Sequence, residues 1–306
     1  MAKEAEVFGS LSFLSQLRYR HLVAGVAGGV TATLLTHPFD LIKLRLAVQD
    51  GKGTGERTSY RGPIHAFRSI LREEGVRQLY RGASANVAGS GASWGLYFFF
   101  YNAMKFSLQE GDIDVSLSAL HHLMCAVFAG ALTLTVTNPI WVVKTRMCLV
   151  SSPSLPRHMR YRGLRDGLAN LWRHEGLRGM YTGYVPGLIG TSHGAIQFMV
   201  YEELKKFYCH HYNLPLSTQL SPLHYIAMAA SSKVVAVTAT YPYQVIRARL
   251  QDQEQRYSGL RDTIWRTYRH EGVRGFYKGI TANLAKVVPA VSITFVVYEN
   301  VSAALR

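Results

Sequence analysis

A chain of 306 residues with 48% hydrophobic and 17% charged residues is too apolar for a disordered segment and long enough for two ordinary domains. Its 34 Lys and Arg against 19 Asp and Glu give a net charge of +15, which points to nucleic acid, anionic lipid or acidic solutes as partners. Three cysteines, Cys125, Cys148 and Cys209, are an odd number with no close pair, which excludes a disulfide framework and a cysteine-based zinc site.

Residues 1–17 read as neither a cleavable signal sequence nor an Arg/Ser-rich amphipathic presequence. An apolar run over about 22–42 predicts a first helix starting near His21, with Gly25 and Gly29 forming a small-residue face for a neighbouring helix. The run ends in Pro38-Phe39-Asp40-Leu41-Ile42-Lys43-Leu44-Arg45. A proline inside a helix removes one backbone donor and kinks it, and Asp40 and Lys43, three apart, share the face beyond the kink. Residues 50–60 read as a Gly/Lys/Glu-rich loop and 63–73 as an amphipathic surface helix.

The second apolar run, about 84–104, has no charge between Arg81 and Lys105. Trp94, Tyr97 and Tyr101 lie on one face of it, as a packing stripe or as a ring-binding surface. The third run, about 119–143, leads into Pro139-Ile140-Trp141-Val142-Val143-Lys144-Thr145-Arg146. A Ser/Pro/Arg-rich loop over 151–160 and a second amphipathic helix over 164–173 follow. In the fourth run, about 185–201, His193, Gln197 and Tyr201 are four apart and share a face; His193 fits a bond to a neighbouring helix as well as a ligand contact.

The fifth run, about 223–246, ends in Pro242-Tyr243-Gln244-Val245-Ile246-Arg247-Ala248-Arg249. Lys233 is the only charge between residues 207 and 246, and it stands three turns before Gln244, roughly 16 Å along a helix. The sixth run, about 280–298, carries Lys286 as the only charge between Lys278 and Glu299, with a bend expected at Pro289. Each run is long enough to cross a hydrocarbon core of about 30 Å. A mean hydropathy close to zero reflects dilution by Gly, Ser and Thr, which favours close helix packing over a lipid-filled core. Cations within such spans are costly and by default mark a solute path.

The chain therefore repeats itself. Pro38, Pro139 and Pro242 are 101 and 103 residues apart (139 − 38 and 242 − 139). Each proline signature is followed by Tyr60-Arg61-Gly62, Tyr161-Arg162-Gly163 or Tyr257-Ser258-Gly259. Then come Glu74-Gly75 with Tyr80-Arg81-Gly82, Glu175-Gly176 with Tyr181-Thr182-Gly183, and Glu271-Gly272 with Tyr277-Lys278-Gly279. Three motifs in fixed order, three times over, establish a threefold internal repeat.

On these motifs the chain resembles the mitochondrial carrier family over about residues 18–303. The resemblance implies an all-α membrane protein of three tandem repeats, at 18–108, 117–209 and 220–303. It implies six transmembrane helices and three short matrix helices in a pseudo-threefold barrel, a monomer embedded in the mitochondrial inner membrane as a multi-pass protein. The basic loops then lie in the matrix, in keeping with the orientation rule for positive residues. Alternating access to one central site is the implied activity, with no enzymatic step and no resident cofactor.

The resemblance also implies gates. The matrix gate comprises Asp40, Lys43, Trp141, Lys144, Gln244, Arg247 and Gln251, and the cytoplasmic gate Asn102, Lys105, Glu202, Lys205, Glu299 and Ser302. Family geometry pairs each acid with the base of the next repeat. Trp141 and Gln244 stand where acids are expected, so only Asp40–Lys144 remains, with Gln251 as a polar brace, and only Glu299–Lys105 at the other end. Such solvent-screened pairs are worth about 1 kcal/mol each, so an empty carrier is expected to reorient easily. Gly62, Gly82, Gly163, Gly183, Gly259 and Gly279 stand at expected helix starts, where free N–H groups and the helix dipole suit a phosphate; the implied ligand is cardiolipin.

The expected substrate site holds Lys233, Lys286, His193 and Gln197, with Trp94 and Tyr97 turned to the cavity because their face continues into Asn102 and Lys105. Two cations and aromatic faces suit an anion bearing a flat ring, which leaves nucleotides, dinucleotides, flavins and folates open. The Trp of the second signature resembles the branch of the family carrying pyrimidine nucleotides, NAD, FAD and folate. Ser93–Asn102, Gly190–Met199, Ala239–Gln244 and Ile293–Asn300 are similar to its folate and FAD carriers, so folate or FAD is the expected cargo, with pyrimidine nucleotides or NAD as alternatives. A soluble basic helical-repeat protein binding nucleic acid would need charged outer helix faces, which the second and sixth runs lack. No carboxylate pair, nucleophile–base set or phosphate loop suggests an enzyme.

Overall fold

The computed structural model describes residues 2–49, 59–109, 118–150, 159–215, 218, 220–253 and 257–304, and every element among them is helical. Repeat one contributes α1 (Ala2–Val48), α2 (Pro63–Glu73), the single turn α3 (Val76–Leu79) and α4 (Ala83–Leu108). Repeat two gives α5 (Ala119–Leu149), α6 (Leu164–Met180), α7 (Tyr184–Gly190) and α8 (Ser192–His211). Repeat three gives α9 (Pro222–Gln251), α10 (Leu260–Gly275) and α11 (Ile280–Ala304).

Pro38, Pro139, Pro242 and Pro289 all lie inside helices, as the spacing predicts. Helix α1 extends back to Ala2 rather than starting at His21. The fourth apolar run is broken rather than continuous. Thr191 Oγ1 donates to the Leu188 carbonyl at 2.7 Å and Ser192 Oγ to that of Ile189 at 2.7 Å, so hydroxyls compete with the backbone ladder at the break. At Gly190 the ring of Tyr243 fills the space a side chain would need, 2.6 Å from a hypothetical Cβ. The expected Gly25/Gly29 face also moves. Neither glycine has a neighbour within 4 Å, whereas a Cβ on Gly28 would lie 2.8 Å from the Thr294 carbonyl oxygen. Helix α11 approaches along the Gly28 side.

Neighbours in sequence are neighbours in space. Helix α1 packs on α4, α4 on α5, α5 on α7, α7 and α8 on α9, α9 on α11, and α11 returns to α1 along an extensive interface. The signature ends of α1, α5 and α9 also meet one another. Among the described residues one segment, His121–Leu149, is long and apolar enough by composition alone to cross a membrane. The other long helices fall short because Gly, Ser, Thr and ionic groups dilute them, as α1 with Asp40 and Lys43 shows.

Three arginines tie the signature ends together. Arg45, Arg146 and Arg249 are each nearly fully buried. Within its own repeat each guanidinium binds the Glu of the Glu-Gly motif, Glu74, Glu175 or Glu271. The remaining donors reach Tyr60 Oη, Tyr161 Oη and Thr267 Oγ1 at 3.2, 3.1 and 3.0 Å. Each Nε crosses to the next repeat, donating to the carbonyls of Cys148, Gln251 and Ala47 at 3.3, 3.2 and 3.0 Å. Those carbonyls belong to the last turn of the neighbouring helix, where no intrahelical donor remains. The ring of contacts is cyclic: repeat one caps two, two caps three, and three caps one.

The residue before each signature proline adds a tie within its own repeat. His37 Nε2 bonds the Arg81 carbonyl at 3.0 Å, Asn138 Nδ2 that of Met180 at 2.7 Å, and Tyr241 Oη that of Lys278 at 3.1 Å. Three unlike side chains perform the same function at equivalent positions.

Glu271 is the most enclosed of the three acids, 5% exposed against 37% for Glu175, and it takes Arg249 Nη2 and Lys278 Nζ at 2.8 and 2.7 Å. Glu271→Gln strands two cations and should cost about 3 kcal/mol, the scale for breaking a buried pair. Glu175→Gln should cost less, and thermal melts of purified protein compare the two. Burial alone would raise the Glu271 carboxyl, but the bonds and charges of Arg249 and Lys278 outweigh it and hold it below its ordinary value of 4.5. Its contribution is therefore complete above pH 4.5 and is lost as the pH falls through the lower folded value, so the wild-type melting temperature should drop in that acid window more steeply than that of Glu271→Gln.

Candidate functional site

Above the signature end, α8, α9 and α11 enclose a cavity of about 270 Å³ lined by His193, Lys233, Val237, Gln244, Asn283, Lys286, Val287 and Ala290. Its volume lies below the roughly 300 Å³ of sites that enclose a whole drug-sized ligand, so it has room for only one end of a larger molecule. Lys233 Nζ donates to Gln197 Oε1 at 3.1 Å across the α8–α9 contact. His193 Nδ1 meets Thr240 Oγ1 at 2.9 Å. The Thr240 hydroxyl donates to the Ala236 carbonyl at 2.6 Å, so it accepts from His193, which fixes the ring proton on Nδ1. Four expected residues, Lys233, Lys286, His193 and Gln197, thus converge.

Trp94 and Tyr97 do not line this cavity. They start an aromatic ladder on α4. Trp94 meets Tyr97 edge-on with centroids 6.2 Å apart, Tyr97 stacks on Tyr101 at 6.1 Å, and Tyr101 stacks on His122 of α5 at 6.4 Å. Trp94 is 63% exposed.

The cavity floor is where the sequence expectation fails. Asp40 does not pair with Lys144. It accepts Lys286 Nζ at 2.9 and 2.8 Å, with Asn86 Nδ2 at 3.4 Å. The Lys144 charge acts on Asp40 through space, but Lys286 reaches the carboxylate from α11. Lys43 Nζ donates to Gln244 Oε1 at 2.6 Å and Asn283 Oδ1 at 3.0 Å. Arg247 Nη2 donates to Asn138 Oδ1 at 3.0 Å. Trp141 lays its indole against α4, 3.5 Å from a hypothetical Cβ on Gly89. Gln251 does not brace an Asp40–Lys144 pair. Its Nε2 donates to the Thr182 carbonyl at 3.2 Å, next to the Gly183 turn. The signature end is thus held by polar contacts over five helices rather than one pair, and easy reorientation of an empty carrier loses its premise.

At the opposite end, no ion pair joins Lys105, Glu202 or Lys205 among the described residues; an exposed Lys206–Glu203 pair at 2.8 Å lies beside them. Asn102 is exposed and Ser302 buried. The Glu299 side chain, and with it the expected Glu299–Lys105 pair, lies outside the described residues. Asn86, Asn138 and Asn283 were missed by sequence reasoning. A signal existed, since Asn86 and Asn283 each stand four residues after a turn glycine, Gly82 and Gly279.

The six glycines at expected helix starts fall into two sets. Gly62, Gly163 and Gly259 precede α2, α6 and α10, and none has a neighbour within 4 Å of a hypothetical Cβ. Gly82, Gly183 and Gly279 precede α4, α7 and α11 and seat the next repeat. A Cβ would lie 2.9 Å from Cys148 Sγ, 3.1 Å from Arg247 Cγ and 2.7 Å from the Lys43 carbonyl oxygen, respectively.

Comparison with known proteins agrees with the repeat architecture. The profile of the mitochondrial carrier protein family matches residues 16–112, 115–212 and 218–306. The chain is 44% identical to folate transporter 1, chloroplastic, of Arabidopsis thaliana, over 94% of this chain and 96% of the relative. It is 36% identical to mitochondrial nicotinamide adenine dinucleotide transporter 1 of Saccharomyces cerevisiae, over 90% and 74%. It is 32% identical to the mitochondrial FAD carrier protein of Saccharomyces cerevisiae, over 92% and 95%.

Gly279 combines a φ of +84° with the closest approach to backbone of the six. Gly279→Ala should cost about 1–3 kcal/mol from the left-handed conformation alone and push α1 away from the cavity floor. Gly62→Ala, in extended backbone and open space, should leave the melting temperature in detergent unchanged. Paired melts test this.

Proposed function

The chain belongs to the mitochondrial carrier family, and from that premise we propose that it moves folates or FAD across the mitochondrial inner membrane by alternating access. In this reading α1, α4, α5, α7–α8, α9 and α11 are six membrane-spanning elements around a pseudo-threefold axis. The amphipathic α2, α6 and α10 lie on the matrix side. The observation that carries the substrate class is the convergence of Lys233 and Lys286 on one cavity.

Two ammonium groups beside a histidine and a glutamine suit a carboxylate or phosphate. The cavity admits that anionic end, and the exposed Trp94 ring offers a surface for the flat pteridine or isoalloxazine. Identity of 44% to a protein named a folate transporter supports folate first. NAD is the second reading, supported by relatives named nicotinamide adenine dinucleotide transporters at 36–37% identity. The open Gly62, Gly163 and Gly259 turns at helix starts suit the phosphates of cardiolipin.

Purified protein in liposomes should take up 5-formyltetrahydrofolate or FAD faster than NAD or pyrimidine nucleotides; preference for NAD would establish the second reading. Lys233→Ala removes a charge-assisted contact and should lower uptake about tenfold or more without lowering the melting temperature. Unchanged uptake would remove Lys233 from the site.

A further inference from the structure

The three boundaries between repeats are closed alike by Arg45, Arg146 and Arg249, but they differ in a second link just beyond. Gln49, Val150 and Gln253 stand at equivalent places, each 11 residues after a signature proline (49 − 38, 150 − 139 and 253 − 242). From repeat one, Gln78 Nε2 donates to the Val150 carbonyl at 2.7 Å. From repeat three, Lys278 Nζ donates to the Gln49 carbonyl at 2.7 Å while it holds Glu271 at 2.7 Å. In repeat two the places of Gln78 and Lys278 are taken by Gly179 and Thr182. Neither supplies such a donor, since glycine has no side chain and Thr182 Oγ1 donates back to the Arg178 carbonyl at 3.1 Å.

A cavity of about 680 Å³ lies at this third boundary, and Glu175, Arg178, Gly179, Thr182, Leu250 and Gln253 are among its walls. Its size falls within the roughly 300–1,000 Å³ of small-molecule sites. The walls are tied together: Gln253 Nε2 donates to Tyr161 Oη at 2.9 Å, and Arg146 Nη1 donates to the same oxygen at 3.1 Å. Glu175 is 37% exposed here, whereas Glu271 under Lys278 is 5% exposed. We propose that this cavity is a second binding site, for a ligand bearing a primary ammonium group. The ammonium joins Glu175 to the Gln253 carbonyl as Lys278 Nζ joins Glu271 to the carbonyl of Gln49.

A primary ammonium has the three N–H donors of a lysine head group, enough for both acceptors. A quaternary ammonium carries the charge but no donor, and a plain carboxylate has the wrong sign for Glu175. Leu250 and Met159 offer an aliphatic stem an apolar wall, and Arg178 on the same cavity suits a carboxylate at the far end. The chemical class is therefore an ω-amino acid. Such a ligand spans repeats two and three at the signature end, so it favours the arrangement in which those ends meet. This cavity shares no lining residue with the one that holds Lys233 and Lys286, and the proposal stands whichever cargo the carrier moves.

The probe is 6-aminohexanoate, titrated into purified full-length protein by calorimetry and followed in parallel by thermal melts. Wild type should bind it saturably at one site and melt at a higher temperature with it than without it. Hexanoate and the N-trimethyl analogue, which lack the ammonium donors, should bind at least about tenfold more weakly, the scale of one lost charge-assisted hydrogen bond. Thr182→Lys gives repeat two the cation that repeat three already has. It should raise the ligand-free melting temperature and weaken 6-aminohexanoate binding at least about tenfold. Glu175→Gln should weaken binding as much, and each variant stands in if the other does not fold. The proposal is overturned if wild type does not bind 6-aminohexanoate, or binds the trimethyl analogue or hexanoate equally well. It is overturned too by a Thr182→Lys protein that binds the probe as wild type does or gains no thermal stability.

Discussion

The bond from each buried arginine to a carbonyl of the following repeat holds the rest of the structure in register. A helix C-terminus leaves carbonyls without intrahelical partners, and here three such ends converge, which without donors would be costly. Arg45, Arg146 and Arg249 supply one donor each across the three boundaries, anchored behind by their own glutamates. The seats at Gly82, Gly183 and Gly279 run the same way around the ring. Each odd-numbered repeat helix is therefore positioned by its neighbour, and the cavity floor inherits that position.

Onto this symmetric frame the chain places an asymmetric interior. Asn86 and Asn283 occupy equivalent turns and reach Asp40 and Lys43. The equivalent residue in repeat two is Gly187, and the Arg247 guanidinium fills the space its missing side chain leaves. Trp141 fills a third equivalent site with a ring packed on α4 instead of a charge. The polar contacts of the floor consequently gather between α1, α9 and α11, next to the cavity lined by α8, α9 and α11. A strictly threefold interior offers three equal subsites, and these departures make them unequal.

The frame was legible in the sequence and the interior was not. Motif spacing revealed the repeats, the signature prolines fell inside α1, α5 and α9, and amphipathic patterning located α2 at its observed bounds. Lys233 and Lys286 stood out because a charge within an apolar run has few explanations. Which partner a long side chain reaches is another matter. Helical spacing gives a face and a depth along one helix, but Lys286 takes Asp40 from a helix 246 residues away in sequence, and pattern along α11 contains no trace of α1. Gly28 prevailed over Gly25 and Gly29 for the same reason, since the approach of α11 selects the face. The α7–α8 break needed Tyr243 from another repeat to make sense of Gly190.

The seam between α1 and α11 also bears on biogenesis. Helix α1 is synthesised more than two hundred residues before its main partner α11, so the ring cannot close until late in synthesis. Until α11 arrives, the carboxylate of Asp40 has no ammonium from Lys286, and Gly28 faces an empty flank. Contacts between chain ends carry the largest loop-closure cost and form late. A chain with two finished repeats lacks those partners, and intermediates that expose such surfaces are prone to aggregate. Loss of the final helix would for this reason harm the first repeat as much as the third.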